Sequence, residues 1–143
     1  MLAEGFYSLR HRAFALLRQA SADHRLRQCG RTMLHTVSLK DNGAFRRLYH
    51  RGSSVGNRYL VIYCRRNGTD TTRLGFTVST KLGHAVVRNR MRRRLREVYR
   101  AQEADLRSGF DIVVVARSAA VEAEFALLQR SFRNLTEKLG LRQ

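Results

Sequence analysis

The chain has 143 residues, 43% of them hydrophobic, with 28 Lys and Arg against 11 Asp and Glu, a formal net charge of +17. That length and apolar content suit one packed core and exclude a wholly disordered basic tail, while the charge calls for a polyanionic partner. Of the cations 25 are Arg and 3 are Lys, and the planar guanidinium fork favours bidentate contact with phosphates and base edges, so the expected partner is nucleic acid.

In chain order, Phe6, Leu9, Ala13 and Leu17 recur at helical spacing with Arg10, Arg12 and Arg18 among them, a pattern that fades by Asp23. Residues 1–33 read as a poorly ordered extension ahead of a domain at 34–143. An RNA-binding arm, a targeting peptide and a start codon placed upstream of Met33 are the readings the segment leaves open. Arg10 and Arg12 break any signal-peptide core, and no apolar run approaches the ~18 to 20 residues of a bilayer span, so no membrane partner is expected and a cytoplasmic protein is. Cys29 and Cys64 lack metal-ligand spacing and read as reduced thiols.

From Asp41 the pattern sharpens. Asp41 or Asn42 can cap a helix holding Ala44, Phe45, Leu48 and Tyr49, with Gly52 as a left-handed exit. A strand over Arg58 to Cys64 alternates Tyr59, Val61 and Tyr63 with Leu60 and Ile62. A second, over Arg73 to Thr80, sets Leu74, Phe76 and Val78 against Gly75, Thr77 and Ser79. Asn67 and Gly68 mark the turn between them. Val86 to about Leu106 is helical, Gly109 interrupts, and Phe110 to Ala116 reads as a strand buried on both faces. Ser118 is the expected cap of a last helix whose Val121, Phe125, Leu128, Phe132, Leu135 and Leu139 form one stripe.

The basic helix carries the most information. Lys81 to Arg100 holds eight basic side chains and only Glu97, a balance of 8 − 1 = +7. At ~100° per residue Val87, Met91, Leu95 and Val98 form a narrow apolar stripe, while Asn89, Arg92, Arg93, Arg96 and Arg100 project roughly opposite and Arg90 lies towards one edge. A helix pinned by that stripe presents guanidiniums outward. Like-charge pairs such as Arg88 with Arg92 cost a few tenths of a kcal/mol each, a cost that a bound phosphate backbone removes. Gly83, before the helix, leaves backbone N–H donors beside this cationic surface.

The segment Thr80-Lys-Leu-Gly-His-Ala-Val-Val-Arg-Asn-Arg closely resembles the signature of the bacterial ribonuclease P protein family, an Arg-Asn-Arg helix behind a Lys-x-x-Gly-x-Ala-Val loop. The resemblance runs from about Leu39 to Leu139 and takes in the Phe45 and Tyr49 helix, the Ser54-Val-Gly-Asn-Arg segment and the strands from Arg73 and Phe110. It implies an α/β (α+β) two-layer sandwich with a central sheet of about four strands and a left-handed βαβ crossover, as in the ribosomal protein S5 domain 2-like fold. It implies a protein that assists an RNA subunit in removing the 5′ leader of precursor transfer RNA, with magnesium held by that RNA rather than by this chain.

Carried over by position, Lys81, Arg88, Asn89, Arg90, Arg92, Arg93 and Arg96 are implied to contact the ribonuclease P RNA, and their types suit phosphates and splayed bases. Phe45, Tyr49 and Tyr63 match the family's leader-binding cleft. Arg46, Arg58 and Arg73 are expected beside them, with Arg58 assignable to either surface. Stacking contributes roughly 1 to 3 kcal/mol per base and tolerates any base. Core packing is the competing reading for Phe45, whose spacing with Leu48 suits a buried stripe, and for Tyr63.

Neither a carboxylate set for two-metal hydrolysis nor a paired-histidine arrangement emerges. Asp41, Asp70, Glu97, Asp105, Asp111, Glu122 and Glu124 are isolated, and His11, His24, His35, His50 and His84 are scattered. A ribosomal-type RNA-binding protein and a stand-alone nuclease are the competing classes. The ordered landmarks disfavour the first and the scattered acids the second.

Overall fold

The computed structural model describes residues Met33–Gln143, so the expectations for Phe6 to Leu17 and for Cys29 lie outside the described residues. The elements run β1 (Thr36–Ser38), α1 (Asn42–Arg51), β2 (Ser53–Gly56), β3 (Leu60–Arg66), β4 (Thr72–Thr77), α2 (Ala85–Gln102), β5 (Phe110–Ala116), α3 (Ser118–Val121) and α4 (Phe125–Lys138). They form one sheet of five strands in the order β1-β4-β5-β3-β2. The expected α/β class holds, with one strand more than the four expected. β1 and β2 span three and four residues at the two edges, too short for alternation to register in a sequence.

Topology separates what the turn residues suggested were neighbours. The turn at Asn67 and Gly68 forms, with Gly68 at φ 72°, yet β3 and β4 do not pair with each other. β5 inserts between them, antiparallel to β3 and parallel to β4, so that Tyr63 and Gly75 both lie opposite Val113. A parallel β4–β5 pair needs a crossover, and α2 supplies it.

Alternation along the strands divides the sheet's side chains between two cores. On one face Leu60, Ile62, Cys64, Leu74, Ile112 and Val114 pack with Met91, Leu95, Val98 and Tyr99 of α2 and Leu128, Phe132 and Leu135 of α4. On the other, Val113 packs with Leu39 and with Ala44 and Leu48 of α1, flanked by Phe45, Tyr63 and Val115. Each fully buried side chain of this size contributes roughly 1.5 to 3 kcal/mol, so the larger cluster under α2 and α4 supplies most of the stability. Cys64 is a free buried thiol, and burial pushes its pKa up.

Three boundary expectations need correction. Asp41 does cap α1, its carboxylate accepting from the Gly43 and Ala44 N–H groups at 2.9 and 3.2 Å. Gly52, however, leaves that helix in an extended conformation, φ −82°. It must be glycine for a different reason, since a Cβ would lie 2.5 Å from the Leu48 carbonyl oxygen. α2 ends at Gln102 rather than near Leu106, where the chain tightens into a 3₁₀ turn over Glu103–Asp105. Ser118 opens the short α3; α4 starts separately at Phe125, with Phe125 left 40% exposed and the buried stripe confined to Leu128, Phe132 and Leu135.

The end of α2 also anchors the start of the described domain. Glu103, fully buried, accepts from the backbone N–H groups of Leu34 and His35 at 2.9 and 3.1 Å. One turn earlier the Tyr99 hydroxyl shares a 2.9 Å hydrogen bond with Thr36 on β1. Burial first, with the charge of Glu103 adding to it, pushes the Tyr99 phenol from its ordinary value near 10 up to about 12, against the opposing effect of the Thr36 hydrogen bond.

A raised folded-state pKa means that stability is fully present below the unfolded value and lost as pH climbs through the folded one. Stability is therefore expected to fall between about pH 10 and 12. Tyr99→Phe should flatten that fall, read as Tm against pH; an equally steep decline in the variant would show that this phenol is not linked to unfolding.

Candidate nucleic-acid interface

The basic helix starts from a backbone device. Gly83 sits at φ 145°, a region side chains avoid, and a Cβ there would meet Val87 at 3.0 Å. Its partner in the turn, Ser79, accepts from the Lys81 N–H at 3.3 Å and closes the single 3₁₀ turn that leaves Lys81 exposed. His84 occupies the N-cap without a side-chain cap hydrogen bond, so the positive end of the α2 dipole is directed at the same solvent region as Lys81.

Along α2 the buried positions are Met91, Leu95, Val98, Tyr99 and Gln102. This seam turns Asn89, Arg90, Arg93 and Arg96 fully outward and leaves Arg88 and Arg92 half-buried on its flanks. The Asn89 amide oxygen accepts from Arg92 at 3.2 Å, which holds that guanidinium on the helix surface. Arg88 has its Nε buried without a hydrogen-bond partner among the described residues, while the rest of the residue reaches the surface. All seven residues expected at this surface thus lie on one loop and one helix.

Two of the arginines counted in the +7 balance have other tasks. Arg94 points back into the protein, donating to the carbonyl oxygens of Ala120 at 3.4 Å, Val121 at 3.2 Å and Ala123. It ties α2 to the end of α3 and the turn that follows. Burial, with Arg90 nearby, lowers the Arg94 pKa. Sequence periodicity had no means of marking this residue, because its wheel position is merely intermediate between stripe and solvent. Arg100, expected among the outward side chains, is half-buried and joined to Glu97 at 2.6 Å.

The second surface lies where α1 crosses the sheet. Phe45 reaches so close to β4 that a Cβ on Gly75 would stand 2.6 Å from its ring. A glycine inside a strand signals such an approach. Tyr49 and Tyr63 meet edge to face with ring centroids 4.9 Å apart, and the Tyr49 hydroxyl is 2.9 Å from that of Thr77. The core-packing reading of these aromatics holds in part. Phe45 and Tyr63 are half-buried against the smaller core, each with part of its ring in solvent, and Tyr49 is 40% exposed. Thr77, which fixes the Tyr49 ring, went unnoticed in the sequence because a threonine in a strand is ordinary.

The arginines expected beside the aromatics do not all stay available. Arg73 is bound to Asp111 on the adjacent strand by two hydrogen bonds of 2.6 Å, and this pairing raises its pKa. Arg46 is exposed on α1. Arg58 is exposed just before β3, at the end of the sheet where β4 gives way to Lys81 and α2. It stands five residues from Tyr63, roughly 16 Å along an extended strand.

Five of the acids among the described residues are occupied structurally. Asp41 caps α1, Asp111 holds Arg73, Glu97 holds Arg100, Asp105 pairs with Arg142, and Glu103 is buried on Leu34 and His35. Among the described residues no group of three or more His, Cys, Asp or Glu is placed to hold a metal ion. What the two surfaces offer is binding: guanidiniums for phosphates on one, ring faces for unstacked bases on the other.

Comparison with other proteins agrees in extent with this domain. The family model for ribonuclease P matches residues 33–140. The ribonuclease P protein component of Thermoanaerobacter is 42% identical over 105 residues, covering 73% of this chain and 90% of the relative. Among solved structures, the Staphylococcus aureus ribonuclease P protein superposes with a TM-score of 0.68 at 34% identity, covering 74% of this chain and 97% of that one. The Thermotoga maritima protein does so with a TM-score of 0.63 at 33% identity, covering 68% and 92%.

Proposed function

The chain belongs to the ribonuclease P protein family, and from that membership we propose that α2 and its preceding loop bind the ribonuclease P RNA while the aromatic cleft under α1 binds the 5′ leader of precursor transfer RNA. As the protein subunit of this ribonucleoprotein endonuclease, it serves removal of the leader from transfer RNA precursors. The observation that carries the assignment of surfaces is the outward display of Arg90, Arg93 and Arg96, none in an ion pair among the described residues, on a helix locked to the core by Met91, Leu95 and Val98.

A rigid row of cations lowers the electrostatic cost of folding RNA against it, and each phosphate it neutralises releases counterions. The cleft supports the leader reading by the same economy of chemistry. Tyr49 and Tyr63 are mutually fixed, so stacking of a base on an exposed ring face costs little side-chain entropy. Stacking reads no particular base, which suits leaders of variable sequence.

We assign the catalytic magnesium ions to the RNA. The carboxylates of Asp41, Glu97, Glu103 and Asp111 already hold helix ends, arginines or backbone N–H groups, and withdrawing any of them for a metal would undo part of the fold. No helix among the described residues is long and apolar enough to cross a membrane, and we place the protein in the cytoplasm with its substrate.

The reading is tested by reconstitution. Full-length protein added to ribonuclease P RNA at low magnesium is expected to raise 5′ processing of precursor transfer RNA well above either component alone. Cleavage by RNA-free protein, or no stimulation, would overturn it. Arg93→Ala with Arg96→Ala should weaken association with the RNA and reduce the slope of log affinity against log salt by on the order of 1 to 2, since two phosphate contacts are lost; an unchanged slope counts against α2 as the RNA surface. Tyr63→Ala should lower the affinity for leader-bearing transfer RNA several-fold more than for mature transfer RNA, whereas equal losses would make Tyr63 purely structural.

A further inference from the structure

A cavity of about 310 Å³ opens on the flank of α2, lined by Val87, Arg90, Met91 and Arg94 of that helix, by Val121 at the end of α3, and by Glu122 and Ala123 after it. Its volume stands at the lower end of the range of small-ligand sites. The walls are of two kinds. Val87, Met91, Val121 and Ala123 give apolar surface, and Arg94 closes the inner end with its guanidinium already committed to the carbonyl oxygens of Ala120, Val121 and Ala123. Arg90 and Glu122 remain, and neither is in an ion pair among the described residues although both line the same cavity.

Glu122 is the carboxylate that lines this cavity. An unpaired carboxylate at the edge of a helix that displays guanidiniums to a phosphate backbone works against binding, unless it meets donors on the ligand. Bases pulled out of a stack present such donors on their Watson–Crick edges. An ionised carboxylate is an acceptor with two oxygens. Guanine alone of the four bases offers two adjacent N–H donors, at N1 and N2, to match both oxygens, whereas adenine and cytosine offer one exocyclic amine beside an acceptor that a carboxylate repels.

We propose that this cavity receives one unstacked guanine of the ribonuclease P RNA, its face against Val87 and Val121, its N1–H and N2–H donating to Glu122, and its phosphate held by Arg90. The proposal rests on α2 as the RNA-binding surface and adds to it a base-specific contact. Val86, adjacent in sequence to Val87, and Phe125, two residues past Ala123, are also exposed apolar side chains.

Kethoxal, which modifies N1 and N2 of unpaired guanines, tests this directly on the RNA subunit with and without the full-length protein. Wild-type protein should lower the reactivity of one unpaired guanine about tenfold, the scale of a hydrogen bond to a charged group. Glu122→Gln, which replaces one acceptor by a donor, and Ala123→Phe, which fills the cavity, should each restore that guanine's reactivity while protections elsewhere along the RNA persist. Glu122→Gln changes an exposed side chain and keeps the test decisive even where Ala123→Phe unfolds the protein. A footprint identical in wild type and Glu122→Gln overturns the guanine site and leaves α2 as the RNA surface. Absence of any footprint overturns both. Altered dimethyl sulfate reactivity at an adenine or cytosine, in place of a guanine, overturns the base assignment.

Discussion

The structure depends on holding a strongly self-repelling helix against a sheet. α2 carries Arg88, Arg90, Arg92, Arg93, Arg94, Arg96 and Arg100 within eighteen residues, with Glu97 as its only acid. Repulsion costs a few tenths of a kcal/mol per i, i+4 pair, while each buried apolar side chain contributes roughly 1.5 to 3 kcal/mol. Met91, Leu95, Val98 and Tyr99 therefore outweigh the repulsion by a wide margin, and the helix forms before any RNA is present. Arg94 adds a directional constraint that apolar contacts lack: bonded to three carbonyls at and just past the end of α3, it fixes the rotation of α2 about its axis and hence where Arg90 and Arg93 point.

The sheet converts one strand periodicity into two separate functions. In β3 and β5 the residues Ile62 and Ile112 face α2 and α4, while Tyr63 and Val113 face α1. The same strands thus seat the basic helix on one side and the aromatic cleft on the other, and the two surfaces are set in fixed relation by the pleat. β5 lies at the centre of this arrangement, between β4 and β3, with Ile112, Val113 and Val114 buried.

Much of this is legible in the chain because its strongest signals are local. The alternation of Leu60 to Cys64, the unbroken apolar run of Ile112 to Val115 and the stripe of α2 each follow from a single periodicity, and the cap at Asp41 from one side chain. What stays hidden depends on tertiary contact. β1 and β2 have too few residues to show a period; the insertion of β5 between β3 and β4 is a long-range choice that a turn at Asn67 and Gly68 cannot reveal. At Arg73, Arg94 and Arg100 the residue type announces a cation, and only the fold shows that each is spent on a carboxylate or on backbone carbonyls. Gly75 was readable as a gap in the Leu74 to Thr77 alternation, though what fills that gap, the Phe45 ring, was not.

The placement of the acids explains how a charge excess becomes a directed one. Asp41 engages Arg47, Asp111 engages Arg73, Glu97 engages Arg100, and Asp105 and Glu137 engage Arg142. None of these pairs includes Arg90, Arg93 or Arg96, although Glu97 follows Arg96 directly, so pairing removes positive charge from the C-terminal half of α2, the sheet and the chain terminus while those three guanidiniums stay without a carboxylate partner among the described residues. The exposed pair of Arg47 with Asp41 adds at most about 1 kcal/mol of stability, too little to account for its placement by stability alone. The larger effect of the pairs is on the field: they confine the uncompensated guanidiniums to the surface that a polyanion would meet first, beside the uncapped positive end of the same helix.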